Sequence, residues 1–210
     1  MTAVDAEQTT LYLVRHGATE ANERVPYILQ GSGIDLPLSC RGARQAENLA
    51  SFLARRSIDA VYCSTMLRAR QTAEAIAAAI GCGATALDAL HECDVGAWEG
   101  MDWDSIRREF PEAYGRFHED PATHPYLEGE SYGDVFRRAL PVIDRLLSQH
   151  PGERIVVVAH NVVNRVLAAH LLGLELRRAQ SLRQSNCCIN VIRRHQGKTE
   201  LVTYNSMLYE

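Results

Sequence analysis

The stretch Leu11-Tyr12-Leu13-Val14-Arg15-His16-Gly17-Ala18-Thr19-Glu20-Ala21-Asn22 decides how this chain is read. Four apolar residues, 11–14, stop abruptly at an Arg-His-Gly, the pattern of a short buried strand running into a tight turn. In an open α/β sheet, ligands sit in the crevice at the carboxyl ends of the strands. Arg15 places a permanent cation there, with a fork of donors suited to phosphate. His16 adds the one side chain that titrates near neutrality and can act as base or nucleophile. Gly17 lets the backbone turn closely past a ligand. The functional reading is a histidine held in an anion pocket. The plainer reading is a strand end with a surface Arg and a partly buried His, so the rest of the chain has to decide.

At 210 residues the chain has the size of one domain, 1–210, with a real core. Its 22 basic and 26 acidic residues give a net charge of -4, which argues against a nucleic-acid partner. An anionic small substrate is still allowed, because the local field governs a pocket. Residues 1–10 are polar and acidic, without the basic and apolar regions of a signal peptide. No apolar run is long enough to span a membrane. Cys40, Cys63, Cys82, Cys93, Cys187 and Cys188 lack CxxC pairing and read as reduced thiols of a cytoplasmic protein.

Helical and strand patterns alternate. Ser39 is a plausible N-cap for a helix reaching about residue 56, with Ala43, Ala46, Leu49, Ala50 and Leu53 on one face. Strands are expected over 58–63, 84–90 and 154–159, and helices over 67–80, 131–149 and 161–172. Residues 187–193 and 199–204 read as a final strand pair around a Gln196-Gly197 turn. The alternation implies an α/β three-layer sandwich, a mainly parallel central sheet with helices on both faces. Residues 101–130 mix Trp103, Phe110, Tyr114, Phe117 and Tyr126 with charges and three prolines. This segment is too long for plain loop and is expected to be a partly helical, cap-like insertion over the active edge of the sheet.

Four further places join a strand end or helix start to reactive residue types. Ser64 and Thr65 are expected to cap a helix carrying Arg68 in its first turn, an anion site of the usual kind. Leu90-His91-Glu92-Cys93-Asp94-Val95-Gly96-Ala97-Trp98-Glu99-Gly100 offers carboxylates, one of which could serve as general acid; an exposed acidic loop is the simpler alternative. A second apolar run, 155–159, ends on His160-Asn161. Gly129-Glu130-Ser131 opens the long helix at 131, another N-terminus able to face an anion.

These blocks, in this order, resemble the histidine phosphatase superfamily, the phosphoglycerate mutase-like proteins. The resemblance rests on Arg15-His16-Gly17 with Thr19 and Asn22, Gln30-Gly31, Asp35-Leu36-Pro37-Leu38-Ser39, Ser64 to Ala73, Glu92, the Gly96 to Gly100 block, Gly129-Glu130-Ser131 and Val158-Ala159-His160. It runs from about residue 11 to 172. It implies that His16 becomes phosphohistidine, that Arg15, Arg68 and His160 ring the phosphate, and that Glu92 gives and takes the proton. Asn22, Gln30, Gly31 and Asn161 are then the substrate-binding candidates. The physics agrees. Two arginines and a second histidine can stabilise a transferring phosphoryl group without a metal, and no carboxylate cluster is spaced for Mg²⁺ or Zn²⁺. A zinc site of His16, His91 and His160 is the alternative. His91, Asn161 and the length of the loop between Asn22 and Gln30 depart from the family's usual pattern, and Asp94 and Glu99 are rival acids.

The implied activity is a metal-independent phosphomonoesterase for a small phosphorylated metabolite, with no cofactor. A 2,3-bisphosphoglycerate-dependent mutase is the alternative, disfavoured because only residues 101–127 separate Gly100 from Glu128 and Gly129. That segment is short for a lid that must keep water from a phosphoenzyme. A non-catalytic phosphate-binding protein is a third reading. The sequence names neither the substrate nor the oligomeric state. Trp103, Arg107, Arg108, Tyr114 and Arg24 are candidates to touch a leaving group, or simply to pack and solvate the insertion.

Overall fold

The computed structural model describes residues 8–207. The expectation of a leaderless N-terminus rests largely on residues 1–7, which lie outside them. Six strands form one sheet: β1 (Thr9–Arg15), β2 (Ala60–Ser64), β3 (Ala84–Leu87), β4 (Arg154–Ala159), β5 (Ile189–His195) and β6 (Lys198–Ser206). Their spatial order is β3-β2-β4-β1-β5-β6. The pairs β2/β3, β2/β4 and β1/β4 are parallel, while β5 is antiparallel to both its neighbours.

Alternation along the central strands sends side chains to opposite faces. Leu11, Leu13, Ile155 and Val157 join the core under α6 (Tyr132–Gln149) and α7 (Asn161–Leu171). Val14, Val61, Cys63, Val156 and Val158 join the core under α2 (Cys40–Leu53) and α3 (Leu67–Ile80). Two apolar cores, one on each face, make the expected three-layer sandwich. The chain enters β1 and returns to β4 beside it, so the carboxyl ends of these two strands share one crevice.

Helix α3 has the predicted bounds, closed by Gly81 in the left-handed conformation (φ 77°). Ser39 does cap α2, its hydroxyl accepting from the Gly42 N–H. The buried stripe of α2 differs from expectation: Ala43 is exposed and Gly42 is buried in its place. A Cβ on Gly42 would lie 1.9 Å from the Ala18 carbonyl oxygen, so the helix presses its glycine against the turn after His16 and Ala43 rotates outward. Two cap expectations are corrected. Met66, not Ser64 or Thr65, is the N-cap of α3. The Asp35 carboxylate takes the Leu67 N–H at 2.9 Å, a partner from a loop 32 residues away. The start of α6 does not face an external anion. Ser131 and Asp134 form a capping box there, so the helix supplies its own carboxylate. The 84–90 strand is shorter than expected: β3 stops at Leu87 and a 3-10 turn, Asp88–Leu90, follows.

The 101–130 segment contains two short helices, α4 (Trp103–Glu109) and α5 (Pro111–Glu119), with Pro111 at the first turn of α5 where its missing N–H is harmless. Ile106, Phe117 and Tyr126 are buried in the same core as α6 and α7. Trp98 meets Phe117 and Tyr126 edge to face at 5.6 and 5.7 Å between ring centroids, and Trp103 stacks on Phe117 at 5.9 Å. This aromatic cluster fixes the segment against the sheet. The short α1 (Glu20–Glu23) follows the His16 turn, capped by Thr19 and Asn22.

Candidate active site

Register puts the two histidines side by side. Arg15 pairs with Ala159 as the last rung of the β1/β4 ladder, so each strand delivers its histidine one residue later. The His16 N–H continues to the Ala159 carbonyl at 3.0 Å. The imidazole rings lie 5.1 Å apart, centroid to centroid, tilted 57°. Gly17 is required here: a Cβ on it would stand 2.5 Å from the Gly42 carbonyl oxygen. Its N–H donates to the Thr72 hydroxyl, which donates onward to the Arg68 carbonyl, tying the turn to α3.

The tautomer of His16 follows from its neighbours. Nδ1 lies 2.7 Å from the Gly17 carbonyl oxygen, which can only accept, so Nδ1 carries the proton. Nε2 therefore presents a lone pair, and Arg68 Nε donates to it at 3.2 Å. Burial, then the Arg68 and Arg15 charges, hold the His16 pKa well below its ordinary value, and the ring is neutral at pH 7. The pKa of His160 is likewise held well below its ordinary value by burial, then by Arg68, His16 and Arg15. Both His160 nitrogens are buried without a protein hydrogen-bond partner.

Arg68 is 1 % exposed, yet it is fixed by carbonyls: Nη2 donates to Gly31 at 2.9 Å and Nη1 to Ile34 at 3.1 Å, with Asp35 at 3.5 Å. Arg15 Nη1 donates to the Gln184 carbonyl at 2.6 Å, while its buried Nε has no protein partner. Glu92 sits on the first turn of α7. Its carboxylate accepts from the Asn161 N–H at 2.9 Å, from Val162 at 3.2 Å and from its own neighbour Cys93 at 2.9 Å. The helix start that follows His160 thus holds a carboxylate beside the histidine pair.

A cavity of about 280 Å³ opens on these groups. Arg15, His16, Arg68 and Glu92 line it, as do Asn22, Gln30, Gly31 and Asn161. The structure so gathers eight of the nine expected site residues at one wall. His160 is the exception: it is fully buried and lies against His16 without lining the cavity. Two of the polar candidates hold the frame. The Gln30 amide oxygen accepts from the Thr19 hydroxyl at 3.0 Å, and the Asn22 amide oxygen accepts from Thr19 N–H and from Asn186. Gly31, expected to touch substrate, uses its carbonyl to orient Arg68.

The rival acids are engaged elsewhere. Asp94 accepts from the Gly96 N–H, and Glu99 accepts from Gly33 and Ile34. Neither lines the cavity, and neither does His91, whose Nδ1 is held at the Glu92 carbonyl. Among the described residues no group of three or more His, Cys, Asp or Glu is placed to hold a metal ion, which leaves the His16, His91 and His160 zinc alternative without a site. Of the leaving-group candidates, Trp103 reaches the cavity; Arg107 and Arg108 pair with Asp104 and Glu109 at the surface, Tyr114 lies against His118, and Arg24 is exposed. Arg165, Gln184 and Tyr132 line the cavity as well and were not expected. Arg165 lies one turn into α7, so only the helical spacing from Asn161 could have flagged it.

Comparison with known proteins agrees with the geometry. Residues 11–207 match the histidine phosphatase superfamily, branch 1. The chain belongs to this superfamily and is a histidine-type phosphatase. It is 32% identical over 195 residues to phosphoserine phosphatase 1 of Hydrogenobacter thermophilus, covering 93% of this chain and 91% of that one. It is 37% identical over 166 residues to mouse 6-phosphofructo-2-kinase/fructose-2,6-bisphosphatase 1, covering 78% of this chain but 32% of the much longer relative. The solved structure of a mycobacterial glucosyl-3-phosphoglycerate phosphatase superposes with a TM-score of 0.84 at 27% identity, covering 95% of this chain and 99% of that one.

Proposed function

We propose that this phosphatase is a metal-independent phosphomonoesterase that passes the phosphoryl group of a small metabolite through His16. The observation that carries the reading is the fixed tautomer of His16, with Nδ1–H bound to a carbonyl and the Nε2 lone pair beside Arg68. In the first step the Nε2 lone pair attacks phosphorus, the bond to the leaving oxygen breaks, and Glu92 gives that oxygen its proton. In the second, Glu92 takes a proton from water, the hydroxide oxygen bonds to phosphorus, and the P–N bond returns its electrons to Nε2. Arg15 and Arg68 stabilise charge on the transferring oxygens, and His160 adds a donor from behind the nucleophile. Asn22, Gln30 and Asn161 shape the wall met by the rest of the substrate. Cys63, Cys93 and Cys188 are buried thiols, which fits a reducing compartment, the cytoplasm. Among the described residues no helix is long and apolar enough to cross a membrane.

The relatives' substrates, phosphoserine and glucosyl-3-phosphoglycerate, are phosphate esters on small polar carriers, and a cavity of about 280 Å³ suits that class. The substrate of this phosphatase is sought there. Dialysis against EDTA, followed by assays on phosphoserine and 3-phosphoglycerate for free phosphate and for 2-phosphoglycerate, tests the reading. Phosphate release that survives EDTA is expected. Activity restored by one specific metal contradicts metal independence. Isomerisation stimulated by 2,3-bisphosphoglycerate and about tenfold faster than phosphate release would replace hydrolysis by the mutase reading.

A further inference from the structure

The Gly129-Glu130-Ser131 block is absorbed neither by phosphate binding nor by the helix cap alone. Glu130 points instead at Arg138, two turns along α6. Every N–H of that guanidinium is engaged. Nε and one Nη2 hydrogen go to the two oxygens of Glu130, at 2.8 and 2.9 Å. The Nη1 pair goes to the Ala89 and His91 carbonyls, both at 2.8 Å, and the remaining Nη2 hydrogen to the Glu92 carbonyl at 3.1 Å. Glu130 also accepts from the Asp94 N–H at 3.0 Å, and its own N–H donates to the Asp94 carbonyl at 2.9 Å. Gly129 lets the two backbone segments of this contact close: a Cβ there would lie 2.4 Å from the Asp94 carbonyl oxygen. The residues on both sides of Glu92 are therefore held by one ion pair, 16 % and 22 % exposed.

We propose that Arg138, seated by Glu130, is a positioning residue for proton transfer: it fixes the backbone of residues 89–94 so that the Glu92 carboxyl stands on the α7 start facing His16. The inference rests on the reading of Glu92 as proton donor. Loops ordinarily move more than the elements they join. A proton donor that drifts by about 1 Å loses rate steeply, so a loop that carries one needs such a clamp. A planar five-donor guanidinium can hold three carbonyls and a carboxylate at once, whereas an ammonium cannot. Although burial works against it, the hydrogen bonds from Arg138 and the Asp94 N–H keep the Glu130 carboxyl below its usual range, consistent with a permanent pair.

The test is a leaving-group series, from p-nitrophenyl phosphate to alkyl phosphates, run on the parent and on Glu92→Gln, Arg138→Gln, Arg138→Lys and Glu130→Gln. Glu92→Gln should lose about a hundredfold or more on alkyl esters and only a few-fold on p-nitrophenyl phosphate, whose leaving group needs little protonation. Arg138→Gln should show the same slope at roughly tenfold on alkyl esters, with Arg138→Lys and Glu130→Gln between it and the parent. Adding Arg138→Gln to Glu92→Gln should cost little more, since both act on one proton. Equal losses across the series, or full additivity in the double variant, overturn the positioning role. A flat series for Glu92→Gln itself overturns the proton-donor reading first. Should Arg138→Gln fail to fold, the two milder variants decide by their slopes.

Discussion

The strand ends that carry His16 and His160 are nearly alike in sequence and opposite in hydrogen bonding. Each is an apolar run that stops on a histidine, and the β1/β4 register places the two rings in contact. At the end of β1 the turn is closed around Gly17, and both ring nitrogens of His16 are committed, one to a carbonyl and one to Arg68. At the end of β4 the chain enters α7 directly, and neither nitrogen of His160 meets a protein partner. A nucleophile must have one nitrogen anchored and the other unprotonated. A phosphate ligand must keep a donor in reserve. The difference teaches that local turn geometry, not the strand-His pattern, sets the hydrogen bonding of each ring, and the proposed division of roles rests on it.

Replacing each histidine should break that comparison. His16→Ala is expected to lose about three orders of magnitude or more in kcat, because a nucleophile is rarely replaced by its neighbours. His160→Ala is expected to lose about a hundredfold, the scale of one donor to developing charge, and to keep a phosphoenzyme. Steady-state rates on p-nitrophenyl phosphate check both. Comparable losses in the two variants, or a larger one for His160, would erase the division.

The comparison sharpens further in stability against pH. The folded pKa of both rings is depressed by burial and by the arginines, so the unfolded chain binds more protons below about pH 6.5. Stability from keeping them neutral is fully present above that pH and is lost as pH falls toward the folded values. Stability should therefore fall as pH drops below about 6.5, and more steeply with both buried histidines present than with one. Denaturant unfolding between pH 7 and 5 measures it, and His160→Gln should halve the histidine contribution. A slope unchanged by that substitution contradicts a neutral, buried His160.

Much of this was legible because the signals were local. The 3.6-residue spacing of apolar residues and Gly81 placed α3 to the residue, and Ser39 announced α2. The two apolar runs ending on histidine mark the strand ends that the β1/β4 register brings together. What failed depended on partners distant in sequence. Asp35 caps α3 from a separate loop, Gly42 is buried because the Ala18 carbonyl presses on it, and the Glu130-Arg138 pair grips residues 89–94 from the start of α6. Gly31 lines the cavity, and its carbonyl also orients Arg68, a contact with a residue 37 positions on that no local pattern announces. A linear pattern names the chemistry at a strand end; it does not name what holds that chemistry still.

The most direct test of the central claim is rapid-quench trapping with a ³²P-labelled substrate, followed by peptide mapping. The account predicts an acid-labile, base-stable phosphoryl group on the peptide containing His16, present in the parent and in His160→Ala and absent in His16→Ala. Label on the His160 peptide, or undiminished turnover in His16→Ala with no trapped intermediate, would contradict it.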